Sequence, residues 1–272
     1  MYLFKFESSL LQQKEQFSFV YKNFKLSVGF IKNKKYTNFS SMKVIFVRHG
    51  QTDYNKHGVL AGQLNPPLNS NGRFQATKVG IALADVKFDK VYCSDLKRAE
   101  QTCRIILSQN DHFSEVTLSD IDSLIIEDEI LREQHFGDFE GKKVKSIKRK
   151  QRADKNFQPT GGESKEDVSD RAAEFFEDMC HTELSKIDSE KVVLVVSHGI
   201  FLNLLFKYFN SEYDCHGEYL NERILNASRS LFEITTADDY EGLNMKCQYY
   251  NKTDYKNFFA YYWFMLKRFF TK

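Results

Sequence analysis

Two short apolar runs, Val44-Ile45-Phe46-Val47 and Val192-Val193-Leu194-Val195-Val196, constrain the fold of this chain more than any other feature. Both are dominated by β-branched residues and neither shows polar alternation. Runs of that kind fit strands covered on both faces, as in a sheet packed between helices. Each then stops abruptly at a polar turn, Arg48-His49-Gly50 after the first and Ser197-His198-Gly199 after the second. One such ending carries little weight. Two of them, on separate strands, point to a shared pocket.

Helical patterns alternate with these strands. Pro66, Pro67 and Gly72 punctuate a loop over 65–72 that leads into a helix, with Phe74, Ala76, Val79 and Leu83 as its expected buried face. A second strand is expected over 88–94, followed by a helix from Asp95 with Ser94 at its N-cap. In that helix Leu96, Ala99, Cys103 and Ile106 recur at helical spacing. Ser164 with Asp167 approximates a capping box, and Val168, Ala172, Phe175, Phe176 and Met179 form an apolar stripe behind it. A helix over 201–209 and a strand over 229–235 complete the pattern, which is that of a layered α/β domain with a largely parallel sheet. No internal repeat is present.

Composition narrows the class of function. The 272 residues carry a formal net charge of +2, which argues against a dedicated nucleic-acid binder. The five cysteines are scattered without a CxxC pair, so neither a disulfide framework nor a zinc site is expected, and a reducing, cytoplasmic setting is. Mitochondrial association is the alternative. Residues 1–41 lack arginine and carry Glu7 and Glu15, however, a poor match to a transit peptide. Met42 stands immediately before the first strand. The expected organisation is an N-terminal extension over 1–41, loosely ordered or absent from the mature chain, a domain over 42–250, and an aromatic, basic tail over 251–272. No apolar run reaches the ~18 residues of a membrane span. The nearest, at 258–266, reads as a segment docked on the core or as a peripheral membrane contact.

Ligands of open α/β sheets bind at the carboxyl ends of the strands. Both histidines fall there, and Arg98, in the first turn after the second strand, belongs at the same edge. Two imidazoles and two guanidiniums suit phosphoryl transfer through histidine. A neutral imidazole is a competent nucleophile, arginine forks hold phosphoryl charge, and a nearby carboxylic acid protonates the leaving oxygen. Two histidines and a glutamate could alternatively bind zinc. The cation Arg48 beside His49 disfavours that, no HExxH spacing is present, and no metal or other cofactor is expected.

The segments VRHGQTDYN, LNSNGRFQA, CSDLKRAEQT, LREQHFGDFEGK, GGES and VVSHG occur in this order between residues 43 and 235. Together they resemble the motifs of the histidine phosphatase superfamily, also called phosphoglycerate mutase-like. The resemblance implies a three-layer α/β sandwich, a mostly parallel central sheet flanked by helices. It implies His49 as the nucleophile, with Arg48, Arg98 and His198 binding the transferring phosphoryl group. Glu133 would protonate the leaving group and then activate water. Asn55 would add a donor, Gly199 its backbone N–H, and Gln63 a substrate contact. Within the superfamily the chain is most similar to TIGAR-type fructose-2,6-bisphosphatases, with Gln51 and Cys93 departing from the usual glutamate and serine. The short span from Gly141 to Gly161, with Pro159 its one proline, favours hydrolysis over mutase activity.

The expected partner is a small phosphorylated metabolite such as a sugar bisphosphate; no nucleic-acid partner is expected, and the oligomeric state is not legible. The alternatives are a protein-directed phosphatase, a phosphoprotein-binding module on the same fold, and a phosphoglycerate mutase. Eight basic residues against one aspartate over 142–155 read as a solvated helix face or as a patch bordering the pocket.

Overall fold

A computed structural model of the chain describes residues 39–113, 121, 123–154, 157–185, 190–213, 215, 223–237 and 242–255. The expected extension, apart from 39–41, and most of the expected tail lie outside the described residues.

Six strands form one sheet: β1 (Ser41–Arg48), β2 (Lys90–Cys93), β3 (Ile125–Glu127), β4 (Lys191–Ser197), β5 (Ser228–Thr236) and β6 (Leu243–Thr253). Their order is β3-β2-β4-β1-β5-β6. The β3-β2, β2-β4 and β4-β1 ladders are parallel, while β5 and β6 add antiparallel ladders on one side. Six helices are described: α1 (Asp53–His57), α2 (Ser70–Ala82), α3 (Lys97–Ser108), α4 (Val144–Ala153), α5 (Lys165–Leu184) and α6 (Gly199–Glu212).

The apolar runs are continuous because their two faces enter two different cores. Val44, Phe46, Val193 and Val195 pack beneath α5 and α6, against Phe176, Phe206 and Phe209. Ile45, Val47, Leu194 and Val196 point the other way, beneath α2 and α3, against Val79, Ala99, Cys103 and Ile106. The result is a three-layer sandwich. Phe46 is buried at its centre, with the rings of Phe206, Phe209 and Phe232 at 5.5–5.8 Å. Among the described residues no helix is long and apolar enough to cross a membrane.

Several expectations shift in detail. Phe74 is 42% exposed rather than buried, and its ring lies 5.0 Å from the Lys78 ammonium. Helix α3 begins at Lys97 behind Leu96, not at Asp95 behind Ser94. Asp95 instead pairs with Arg132. The capping box of Ser164 and Asp167 forms as read, with Ser164 Oγ accepting from Asp167 N at 3.0 Å. Strands β3 and β6 are additions, and β6 runs through the expected 250/251 division to Thr253. Beyond it, Asp254 pairs with Arg229 of β5.

This packing predicts that Phe46→Ala lowers stability by about 3–5 kcal/mol, whereas Phe74→Ala changes it by no more than about 0.5–1 kcal/mol. Urea denaturation of the two variants measures the difference directly.

Candidate active site

The parallel ladders bring four strand ends to one edge. His49 N donates to Ser197 O at 2.9 Å, Ser94 N to Val196 O at 3.0 Å and Asp128 N to Cys93 O at 2.9 Å. The turn after β1 fits only because glycine is present. A Cβ on Gly50 would stand 2.4 Å from the carbonyl oxygen of Gly72, at the start of α2. Gly50 N also donates to Thr102 Oγ1 on α3, at 3.0 Å. Gln51 accepts the side-chain amides of Asn69 and Asn71, so the departure from glutamate is met by amide donors.

His49 and His198 come together with ring centroids 5.1 Å apart and planes tilted by 52°. Both are buried. His49 Nδ1 lies 2.7 Å from the carbonyl oxygen of Gly50, which can only accept, so that nitrogen carries the proton and Nε2 keeps its lone pair. Burial first, then the charges of Arg98 and Arg48, holds the His49 pKa well below its ordinary value. His198 is depressed by burial and by Arg98, His49 and Arg48. Its Nε2 lies 2.8 Å from Ser94 Oγ, while Nδ1 is buried with no partner among the described residues. Ser94 is therefore a site residue rather than a helix cap.

Two buried arginines flank the rings. Arg48 donates from Nη1 to Ile224 O at 2.7 Å; Arg98 donates from Nη1 and Nη2 to the carbonyls of Leu64 and Gly62 at 2.8 and 2.7 Å. Burial pushes each pKa down to about 10, partly opposed by the charge of Glu133. Neither arginine forms an ion pair among the described residues, and the Nε of each is buried without a partner. Gly199 opens α6 against the Arg48 guanidinium, where a Cβ would stand 3.1 Å from its central carbon.

Glu133 is buried, whereas Glu127, Glu129 and Asp138 are exposed. Its carboxylate accepts from Ile200 N at 3.1 Å, Phe201 N at 3.3 Å and Gln134 N at 3.1 Å, and so caps α6 from outside the helix. Gln63 Nε2 donates to the Glu133 carbonyl at 3.4 Å. Asn55 uses its oxygen to cap α1 through Thr52 and to accept from Asn226 Nδ2 at 3.1 Å. Asn226 also reaches His49 O at 3.2 Å. All eight candidates thus lie at or beside one sheet edge. Ser94, expected as a helix cap, joins them, as do Asn226, Glu163 and Arg171, which were not singled out from the sequence.

Two buried guanidinium N–H donors (Arg48 Nε and Arg98 Nε), the unpartnered His198 Nδ1 and two cations unpaired with carboxylates make an electropositive pocket suited to a compact oxyanion, beside the His49 Nε2 lone pair. Among the described residues, no three His, Cys, Asp or Glu side chains group as a metal site requires.

Residues 44–240 match the histidine phosphatase superfamily (branch 1), and the chain belongs to that family. All eight candidate residues lie inside the matched region. The chain is 40% identical to fructose-2,6-bisphosphatase TIGAR of Xenopus tropicalis over 150 residues, 53% of this chain and 52% of that protein. It thus spans about half the length of that relative. It is 31% identical to fructose-2,6-bisphosphatase TIGAR B of Danio rerio, over 62% of this chain and 75% of that one. The native structure of a mycobacterial glucosyl-3-phosphoglycerate phosphatase is similar with a TM-score of 0.62 at 25% identity, over 78% of this chain and 100% of that one.

Two neutral buried histidines give stability a pH dependence of known sign. The unfolded chain binds protons on both imidazoles below about pH 6.5 and the folded chain does not, so stability is full above that pH and falls beneath it. The slope is up to about 1.4 kcal/mol per pH unit for each histidine. Urea midpoints at about pH 7.5 and about pH 5.5 should converge for His198→Gln relative to the parent. An equal acid loss in both proteins contradicts the neutral assignment.

Proposed function

We propose that the protein hydrolyses phosphate monoesters of small metabolites through a phosphohistidine, with sugar bisphosphates of the fructose 2,6-bisphosphate kind as its preferred substrates. The supporting observation is the free Nε2 lone pair of His49, facing a second imidazole between two buried guanidiniums that lack carboxylate partners.

In the first step His49 Nε2 bonds to phosphorus as the ester P–O bond breaks, and Glu133, as the acid, gives its proton to the departing alkoxide. In the second, the Glu133 carboxylate takes a proton from water, the water oxygen bonds to phosphorus, and the P–N bond breaks. Inorganic phosphate leaves, and His49 and Glu133 return to their starting forms. Arg48, Arg98 and His198 hold the phosphoryl oxygens throughout, with Asn55 and the Gly199 N–H as further donors. Gln63 stands beside Glu133, where the leaving group departs.

The bisphosphate preference draws on the relatives' names and on α4. Val144 and Ile147 of that helix pack with Leu60 and Ile200, and Ile200 N is bonded to Glu133, so the helix borders the site. Lys142, Lys143, Lys145, Lys148, Arg149, Lys150 and Arg152 are all exposed on or just before it. Such a field attracts a substrate with a second phosphate.

Two outcomes follow. Phosphorylated wild-type protein carries an acid-labile, base-stable label that His49→Ala lacks, and that variant loses activity by about 10⁴-fold or more. Label on His49→Ala rejects the nucleophile. Neutralising Lys142, Lys143 and Lys145 lowers kcat/KM on fructose 2,6-bisphosphate roughly tenfold at low salt. The loss fades as screening shortens to about 8 Å at physiological ionic strength. Unchanged kinetics at low salt make the patch mere surface.

A further inference from the structure

Glu133 lies on an irregular segment, between a short 3-10 turn over Glu129–Leu131 and another over Gly137–Phe139, where no ladder or helix holds the backbone. A proton donor in such a segment needs an outside constraint, because a misplacement of about 1 Å costs on the order of 10²-fold in rate.

One side chain supplies it. Arg171, on α5, donates from Nη1 to the carbonyls of Ile130 and Arg132, both at 2.7 Å, and from Nη2 to the carbonyl of Glu133 at 3.2 Å. The same guanidinium pairs with Glu163, from Nε to Oε1 at 2.8 Å and from Nη2 to Oε2 at 3.1 Å. Glu163 closes the loop on the far side of Glu133: its Oε2 accepts from His135 N at 2.7 Å and its carbonyl from Gln134 Nε2 at 2.7 Å. The Arg171 guanidinium also lies 5.3 Å from the ring of Phe201, whose N–H bonds the Glu133 carboxylate.

From these contacts we infer that Arg171, braced by Glu163, is a positioning residue that fixes Glu133 for proton transfer to the leaving group. Lysine cannot replace it, since one ammonium cannot span three carbonyls and a carboxylate in a plane. The inference rests on the proposed acid role of Glu133, so the test includes that residue.

The readout is kcat/KM on two esters. p-Nitrophenyl phosphate releases a stable phenolate that needs no proton; glycerol 2-phosphate releases an alkoxide that does. Glu133→Gln should lose about 10²–10⁴-fold on glycerol 2-phosphate and far less on p-nitrophenyl phosphate. Arg171→Met and Arg171→Lys should show the same selective loss, at about 10²-fold, and Glu163→Gln a smaller one of the same kind. Thermal melts report folding, and Glu163→Gln decides alone if the Arg171 variants do not fold. Selectivity in Glu133→Gln but equal loss on both esters, or none, in the folded Arg171 or Glu163 variants overturns the positioning role. Equal loss in Glu133→Gln itself overturns the acid role instead.

Discussion

Arg48 and Arg98 bring two positive charges into the interior at one edge of the sheet, and neither is neutralised by a carboxylate ion pair among the described residues. Burial weakens both enough to lower their pKa to about 10, a cost on the order of a few kcal/mol each. Backbone carbonyls of Ile224, Leu64 and Gly62 hold the guanidiniums in place but do not cancel their charge. Under the proposed reaction a bound oxyanion cancels it. The low pKa of both imidazoles follows first from burial and then from that charge.

The fold concentrates these groups economically. Parallel ladders put the ends of β1, β2 and β4 side by side, so residues distant in sequence meet without long loops. The start of α6 then serves two ends of the site. Gly199 gives the Arg48 guanidinium a flat surface, while the next two N–H groups bind the Glu133 carboxylate. His198, at the N-cap, makes no side-chain cap bond and turns instead to Ser94. The helix leaves its capping to a residue on another segment, which ties His198, Arg48 and Glu133 into one framework.

The sandwich was legible because a strand buried on both faces must be apolar throughout, and the two runs show it. The strand-tip histidines and Arg98 were legible for the same topological reason. Glu133 was legible only through its motif, since an irregular segment has no periodicity to mark one carboxylate among several. Ser94 was misread because a serine ahead of a helix is a local capping signal, and a tertiary bond to His198 overrides it. Strand β3 has only three residues and so no pattern to read, whereas β6 alternates Leu243, Met245, Cys247 and Tyr249 with Asn244, Lys246 and Gln248, a half-buried edge pattern that could have been found. Arg171 could have been found. It lies three residues after Val168 and four before Phe175, on the buried stripe of α5, where a cation needs several partners.

The most direct measurement of the central claim is a crystal structure with vanadate bound. The account predicts one oxyanion with its metal facing His49 Nε2, its oxygens bonded by Arg48, Arg98 and His198 Nδ1, and Glu133 on the side away from His49. An oxyanion that touches a single imidazole, or that binds without either arginine, contradicts it.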